Sequence, residues 1–263
     1  MDGSMKWLVV LLVLLAALGW MTVRDKQDYA RFKAAGTTRQ RRRFYARWIV
    51  TCWLVFGIGG LALLMALGQS DALSTFPTPF ATLGLQEASA AAADTSDIWT
   101  LVGMAAGFAV GALIAAAIWR MRIRKMRQPV VGDIEPLLPR EAGEYPYTGA
   151  LSVTAGVTEE LFFRLALPLL AFKATGSVLL ALGIAGAAFG LMHWYQGWAG
   201  VVATTLVGAF LTYLYLSSGS LVKPIIVHIV IDLMALVIRP AVATRFASPP
   251  TDPASSEALK EGV

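Results

Sequence analysis

Apolar runs of membrane-spanning length alternate with short polar segments along most of the chain. Seven can be marked: Met5–Val23, Trp48–Leu67, Ile98–Trp119, Tyr147–Phe172, Gly176–Tyr195, Val201–Leu216 and Leu221–Ile238. A helix needs about 20 residues to cross a hydrocarbon core of about 30 Å, and these runs cluster near that length. Helices satisfy their own backbone groups in lipid, so the pattern predicts an all-α, polytopic transmembrane bundle of about seven spans. The first run lacks a following small-x-small cleavage site and is expected to be a retained helix rather than a signal peptide. The expected division is 1–146, three spans with basic loops; 147–239, a four-helix core; and 240–263, a disordered Pro/Ser/Ala tail.

Charge orients these spans. Arg24, Lys26, Arg31, Lys33, Arg39, Arg41, Arg42, Arg43 and Arg47 crowd residues 24–47, and Arg120, Arg122, Arg124, Lys125 and Arg127 follow the third run. Lys and Arg mark cytoplasmic loops, so the N-terminus is expected outside and the C-terminus in the cytoplasm. Residues 68–97 hold no Lys or Arg and read as an outside loop. Residues 129–146 are expected to fold as a short interfacial segment over the mouth of the bundle. The basic loops and the Ala, Gly and Arg content suggest a prokaryotic inner membrane.

Composition supports this picture. The 263 residues are 57% hydrophobic and only 15% charged, against about 25% charged in soluble domains. The net charge of +5 arises in loops, so it reports topology and contact with lipid head groups rather than nucleic-acid binding. The one cysteine, Cys52, excludes an intramolecular disulfide and a cysteine zinc site. Nothing in the sequence sets the oligomeric state.

The unusual stretch is Thr158-Glu159-Glu160-Leu161-Phe162-Phe163-Arg164, two carboxylates and a guanidinium inside the fourth run. An acid at mid-bilayer costs about 2.5–3.5 kcal/mol on insertion scales, so intramembrane ionisable groups are functional by default. Glu160 and Arg164 are i,i+4 and can pair on one helix face. Glu159 is turned about 100° away, which suggests a structural pair beside a free carboxylate. Pro168 predicts a kink just past this stretch, because it displaces the carbonyl of Arg164. On the fifth run Gly183, Gly186 and Gly190 predict a close-packing face, and Phe189 and His193 share a face. Pro224 falls in the first turn of the seventh helix, where a missing N–H costs little.

Only two histidines exist, His193 and His228, and Asp232 lies one turn beyond His228. Glu159, Glu160, Arg164, His193, His228 and Asp232 are expected to converge between spans four, five and seven. A carboxylate with imidazoles can hold and deprotonate water, with Glu159 as general base and His193 as its partner. His228 could then steady an oxyanion, with Asp232 protonated or orienting it. The sum is hydrolysis of an amide bond inside the membrane. Helical counting places Glu159 near mid-depth, His193 near the inner end and His228 nearer the outer end. The mismatch reaches about 10 Å or more, to be absorbed by tilt, the Pro168 kink or a re-entrant start to the seventh span.

The pattern Glu159-Glu160-x-x-x-Arg164, Phe189-x-x-x-His193 and His228-x-x-x-Asp232 resembles the three motifs of the CPBP family. That family includes the CAAX prenyl endopeptidases and the Abi or bacteriocin-immunity-like membrane proteins. The resemblance covers residues 147–239 and implies an intramembrane endopeptidase. In it Glu159 and His193 activate water, His228 and Asp232 form the oxyanion site, and Glu160, Arg164 and Phe189 give structural support. The last position is often Asn in the family and is Asp here. A catalytic zinc on Glu159, His193 and His228 would meet the ligand count. There is no HExxH, and a single His per helix fits a water-holding site equally well, so the expected enzyme is a metal-free glutamate protease without cofactor, with zinc as the open alternative. The expected substrate is a membrane-associated or lipidated protein or peptide, with a peptide or membrane anchor favoured over a prenylated terminus. A non-catalytic binding or immunity protein of the same fold is the alternative, and a proton-coupled carrier using Glu159 and His193 is a third reading.

Overall fold

A computed structural model describes residues 3–86 and 132–246. Six helices organise it, with no strand among the described residues. Helix α1 is Gly3–Lys33. It does not stop at Val23, because the basic stretch expected to be a loop carries its own helix support. Asp28 receives Arg24 at 4.0 Å and Arg31 at 3.2 Å from α1, and Arg47 at 3.0 Å from the next helix. Pairs at i,i+3 and i,i+4 stabilise a helix face, and the third arginine ties the two helices together. The connecting turn ends at Thr37, whose side chain accepts from Gln40 N–H in a capping box.

Helix α2 is Thr38–Leu67, interrupted by a π-helical turn at Trp53–Ile58 and ended by Gly68 at φ 67°. Helix α3 runs over residues 145–175. It is α-helical in Tyr145–Glu160, π-helical in Leu161–Ala166 and α-helical again in Leu167–Thr175. Helix α4 is Val178–Met192, started by the Ser177 cap. A 3-10 turn, Trp194–Gln196, leads into α5, Gly197–Ser218. Helix α6 covers residues 222–246, with a π turn at Met234–Ile238. Pro224 lies within its first turn, as expected. The helix passes Ile238, so the segment expected as disordered tail begins with Arg239–Phe246 in helix.

Four helices are long and apolar enough to cross a membrane: Ser4–Lys33, Thr38–Leu67, Trp194–Ser218 and Val222–Val242. The shorter Val178–Met192 is also apolar. This is the all-α polytopic bundle read from the sequence. The expected third span, Ile98–Trp119, and the tail beyond residue 246 lie outside the described residues.

Helix α3 is the centre of the bundle. Its first half packs on α2 and α6, and its second half on α1 and α4. The second half is buried almost throughout, and Phe162 and Phe163 meet Phe56 of α2 at ring distances of 5.2 and 5.3 Å. Glycines let two of the contacts close. A Cβ on Gly156 would lie 2.4 Å from Ile229 of α6, and one on Gly190 would lie 2.1 Å from Thr205 of α5. Gly183 and Gly186, expected on the same packing face as Gly190, meet nothing within 4 Å among the described residues.

The proline lies just past a local change of helix type. Pro168 cannot donate to the carbonyl of Arg164, and its ring crowds that group. The helix answers with the π turn Leu161–Ala166, ending two residues before the proline. Widening the ladder to i→i+5 moves the displaced carbonyl aside without breaking the helix. The wide turn therefore overlies the charged motif itself.

Candidate active site

Glu160 and Arg164 pair as expected: Nη1 stands 2.9 Å from Oε1, with both side chains fully buried. Arg164 is also held by its surroundings. Its Nη2 donates to the carbonyl of Gly208 at 3.3 Å, and its guanidinium carbon lies 4.3 Å from the centre of the Phe189 ring. Gly208 is required there, because a Cβ would come within 2.7 Å of that ring. One arginine thus joins α3, α4 and α5.

Glu160 does more than pair with arginine. The same Oε1 lies 2.7 Å from Nδ1 of His228, so Glu160 bridges the guanidinium and the imidazole. A carboxylate partner fixes ring orientation and commits Nδ1 to donation. The expected orienting role of Asp232 is correspondingly weaker. Its Oδ2 is 3.8 Å from Nε2 of His228, an ion-pair distance and not a hydrogen bond.

His193 sits at the end of α4 with φ −91° and ψ 15°, outside helical geometry. The carbonyls in the last turn of a helix lack internal partners. That of Phe189 accepts from Nδ1 of His193 at 2.8 Å. A carbonyl only accepts, so Nδ1 carries the proton and Nε2 of the neutral ring keeps its lone pair. Phe189 anchors both imidazoles, at ring distances of 4.9 Å to His193 and 6.3 Å to His228.

The side chains that helical counting sets at different depths meet through Glu160–His228 and the Phe189 ring. Helix α4 has 15 residues, or about 22 Å, too short for the hydrocarbon core. His193 therefore caps the end of a short helix, rather than lying within a span that runs on to Tyr195. At the opposite end, the turn between α5 and α6 is covered: Phe76 and Phe80 meet Tyr215 in tilted and edge-on contacts, and Gln86 abuts Gly219.

Glu159 is the remaining acid. Its Oε2 is buried and finds no hydrogen-bond partner among the described residues. It interacts electrostatically with His228, Glu160 and Arg164, and His193 with His228, Asp232 and Arg164. The six ionisable residues singled out from the sequence therefore share one neighbourhood between α3, α4 and α6.

Three neighbours were not anticipated. Asp25 of α1 and Cys52 of α2 interact electrostatically with Glu159 and with each other. Tyr195 interacts with Glu159, Asp232 and Asp25, and its ring lies 6.0 Å from that of His193. The only signal for Asp25 was an acid in a basic run, and Tyr195 carried none beyond lying two residues past His193.

Residues 132–144 reach this end of the site, as the expected interfacial segment should. The Asp133 N–H donates to the Gln196 carbonyl at 2.8 Å. Tyr29 donates to the Asp133 carbonyl, and Lys33 pairs with the Asp133 carboxylate. Gly132, at φ 77°, lets the strap pass where a Cβ would fall 2.9 Å from Gly200 Cα. Further along, Arg41 is buried against Glu144 at 3.0 Å and donates to the carbonyls of Pro136 and Leu138.

Among the described residues, no three His, Cys, Asp or Glu side chains are grouped as a metal site would group them. Both histidines have one ring nitrogen committed, to the Phe189 carbonyl and to Glu160. What the arrangement offers a water or a carbonyl oxygen is two buried carboxylate oxygens without partners, on Glu159 and Glu160, and the uncommitted Nε2 atoms of the two imidazoles.

Residues 142–234 match the family described as Type II CAAX prenyl endopeptidase Rce1-like. The match spans every residue of the site except Asp25 and Cys52. The chain is an integral membrane protein, and residues 142–234 are similar to the CAAX-type protease family. No curated protein and no solved structure matched the chain.

Proposed function

We propose, with the Rce1-like domain at residues 142–234 as premise, that the protein is an intramembrane endopeptidase using a glutamate-activated water. The observation that carries this reading is Glu159: its buried Oε2 has no donor and the side chain no ion-pair partner among the described residues, whereas Glu160, though its Oε2 is likewise unpartnered, is held through Oε1 by Arg164 and His228. A water between Glu159 and His193 Nε2 would supply the missing donor.

The steps balance with the side chains named. Glu159 takes one proton as the water oxygen bonds to the scissile carbonyl carbon. The developing oxyanion accepts from Nε2–H of the His228 imidazolium, whose Nδ1–H is held by Glu160. The tetrahedral intermediate collapses, the C–N bond breaks, and the proton on Glu159 passes to the departing amine. Asp232, one turn beyond His228, faces the imidazolium without hydrogen-bonding it. The substrate proposed is a peptide or protein anchor presented within the membrane. Asn at position 232 would donate to the oxyanion directly; Asp can do so only when protonated.

Comparison of membrane-peptide fragments from cells carrying the native chain and Glu159→Ala tests this. Cleavage products present only with the native chain support it. Identical fragment sets, with the phenotype retained, would assign the protein to the non-catalytic binding class.

A further inference from the structure

A hollow of about 460 Å³ opens on the first two turns of α2, lined by Thr38, Arg39, Arg42, Arg43, Glu141 and Tyr147. Three guanidinium groups face one carboxylate there. None of the three arginines makes an ion pair among the described residues, and Arg42 Nε is buried without a partner. The hollow is far from the candidate active site along α3: Tyr147 precedes Glu159 by 12 residues, about 18 Å of helix.

Its position relative to lipid is set by α2 itself. Arg43 and Val50 are seven residues apart, two turns on one face. Val50 and Leu54 are exposed apolar residues, so that face meets hydrocarbon. Arg43 lies about 10 Å beyond Val50, with Trp48 between them, a residue type that prefers the membrane interface. This puts the arginines in the head-group layer, which extends roughly 5–7 Å past the hydrocarbon. Arginine forks match phosphate geometry, and Tyr147 with the aliphatic stems of the arginines supplies an apolar floor.

We propose that this hollow is a binding site for the phosphate of an anionic membrane lipid, held by Arg39, Arg42 and Arg43. The site is separate from the protease chemistry and does not depend on it. Gly143 is part of its construction. A Cβ there would lie 1.5 Å from Arg42 Nη2, so only a residue without a side chain lets that guanidinium lie where it does.

Full-length protein in a neutral detergent, titrated with dioleoylphosphatidylglycerol, dioleoylphosphatidylcholine or inorganic phosphate and read by native mass spectrometry, tests this. The native chain should retain phosphatidylglycerol in preference to phosphatidylcholine. Each arginine replaced by Gln should weaken retention about fivefold, and all three on the order of a hundredfold. Gly143→Ala keeps every charge but displaces Arg42, and should weaken retention by at least the single-arginine factor. Lys223→Gln, at the opposite end of the bundle, should leave retention unchanged. If the triple variant does not fold, Arg43→Gln and Gly143→Ala carry the test, since Arg43 is exposed and Arg42 can move. Unchanged retention in the arginine variants, equal retention of the neutral lipid, or full displacement by inorganic phosphate would overturn the proposal.

Discussion

Glu159 and Glu160 are neighbours in sequence, and exchanging each for glutamine should have opposite consequences. In Glu160→Gln the buried charge between Arg164 Nη1 at 2.9 Å and His228 Nδ1 at 2.7 Å is lost. Removing one member of a buried ion pair costs about 3–5 kcal/mol, because the partner charge stays behind. At this chain length each kcal/mol moves the melting temperature by about 2–4 °C, so a fall on the order of 10 °C is expected. In Glu159→Gln nothing in the protein is unpaired by the change, since the altered Oε2 has no partner to lose. Its stability should stay within about 1 kcal/mol of the native chain, a shift of about 2–4 °C at most, or rise, as is common where a site is strained for function. Cleavage of an anchor peptide, measured below both melting points, should fall about 10²–10⁴-fold in kcat for Glu159→Gln. Tryptophan fluorescence on heating and peptide cleavage in detergent report the two quantities on the same sample. Equal loss of stability in the two variants would refute this division of roles, and so would full activity in Glu159→Gln.

His193→Ala should also lower kcat by about 10²–10⁴ while the protein keeps its fold, measured by the same cleavage assay and by helical circular dichroism. Gly208→Ala places a methyl 2.7 Å from the Phe189 ring and should destabilise by about 1–3 kcal/mol, read as a lowered melting temperature, with Gly183→Ala as the neutral comparison. Phenanthroline or EDTA should leave cleavage unchanged; a loss restored by added zinc would sink the water-only mechanism. Arg41→Ala strips the buried Glu144 of its cation, leaving only the Arg140 N–H, and should cost about 3–5 kcal/mol, detectable as early thermal unfolding.

The charged motif and the helical class were legible because an ionisable group in an apolar run is costly and stands out. The Glu160–Arg164 pair follows from helix geometry alone. The Glu160–His228 contact does not. It joins residues 68 positions apart, and its register depends on how α3 and α6 settle around Gly156 and Ile229. The end of α4 was hidden for a different reason: Met192 to Tyr195 hold no Gly, Pro or Asn, so no stop signal precedes Gly197. The π turns were invisible too, being a response to packing and, at Leu161–Ala166, to a proline two residues on. Asp25 was masked by the arginines around it, and only the continuation of α1 to Lys33 carries it to the side of Glu159.

The Arg41–Glu144 contact crosses the start of the family match, with the guanidinium outside residues 142–234 and the carboxylate inside. The evolutionary unit and the folding unit therefore have different edges. Excised at the match boundary, the fragment would carry a bare anion where the native chain hides a neutralised one, and would lose the α1 and α2 surfaces on which α3 rests. The first two helices are part of the scaffold rather than an appended anchor, and a portable version of this site would have to begin with them.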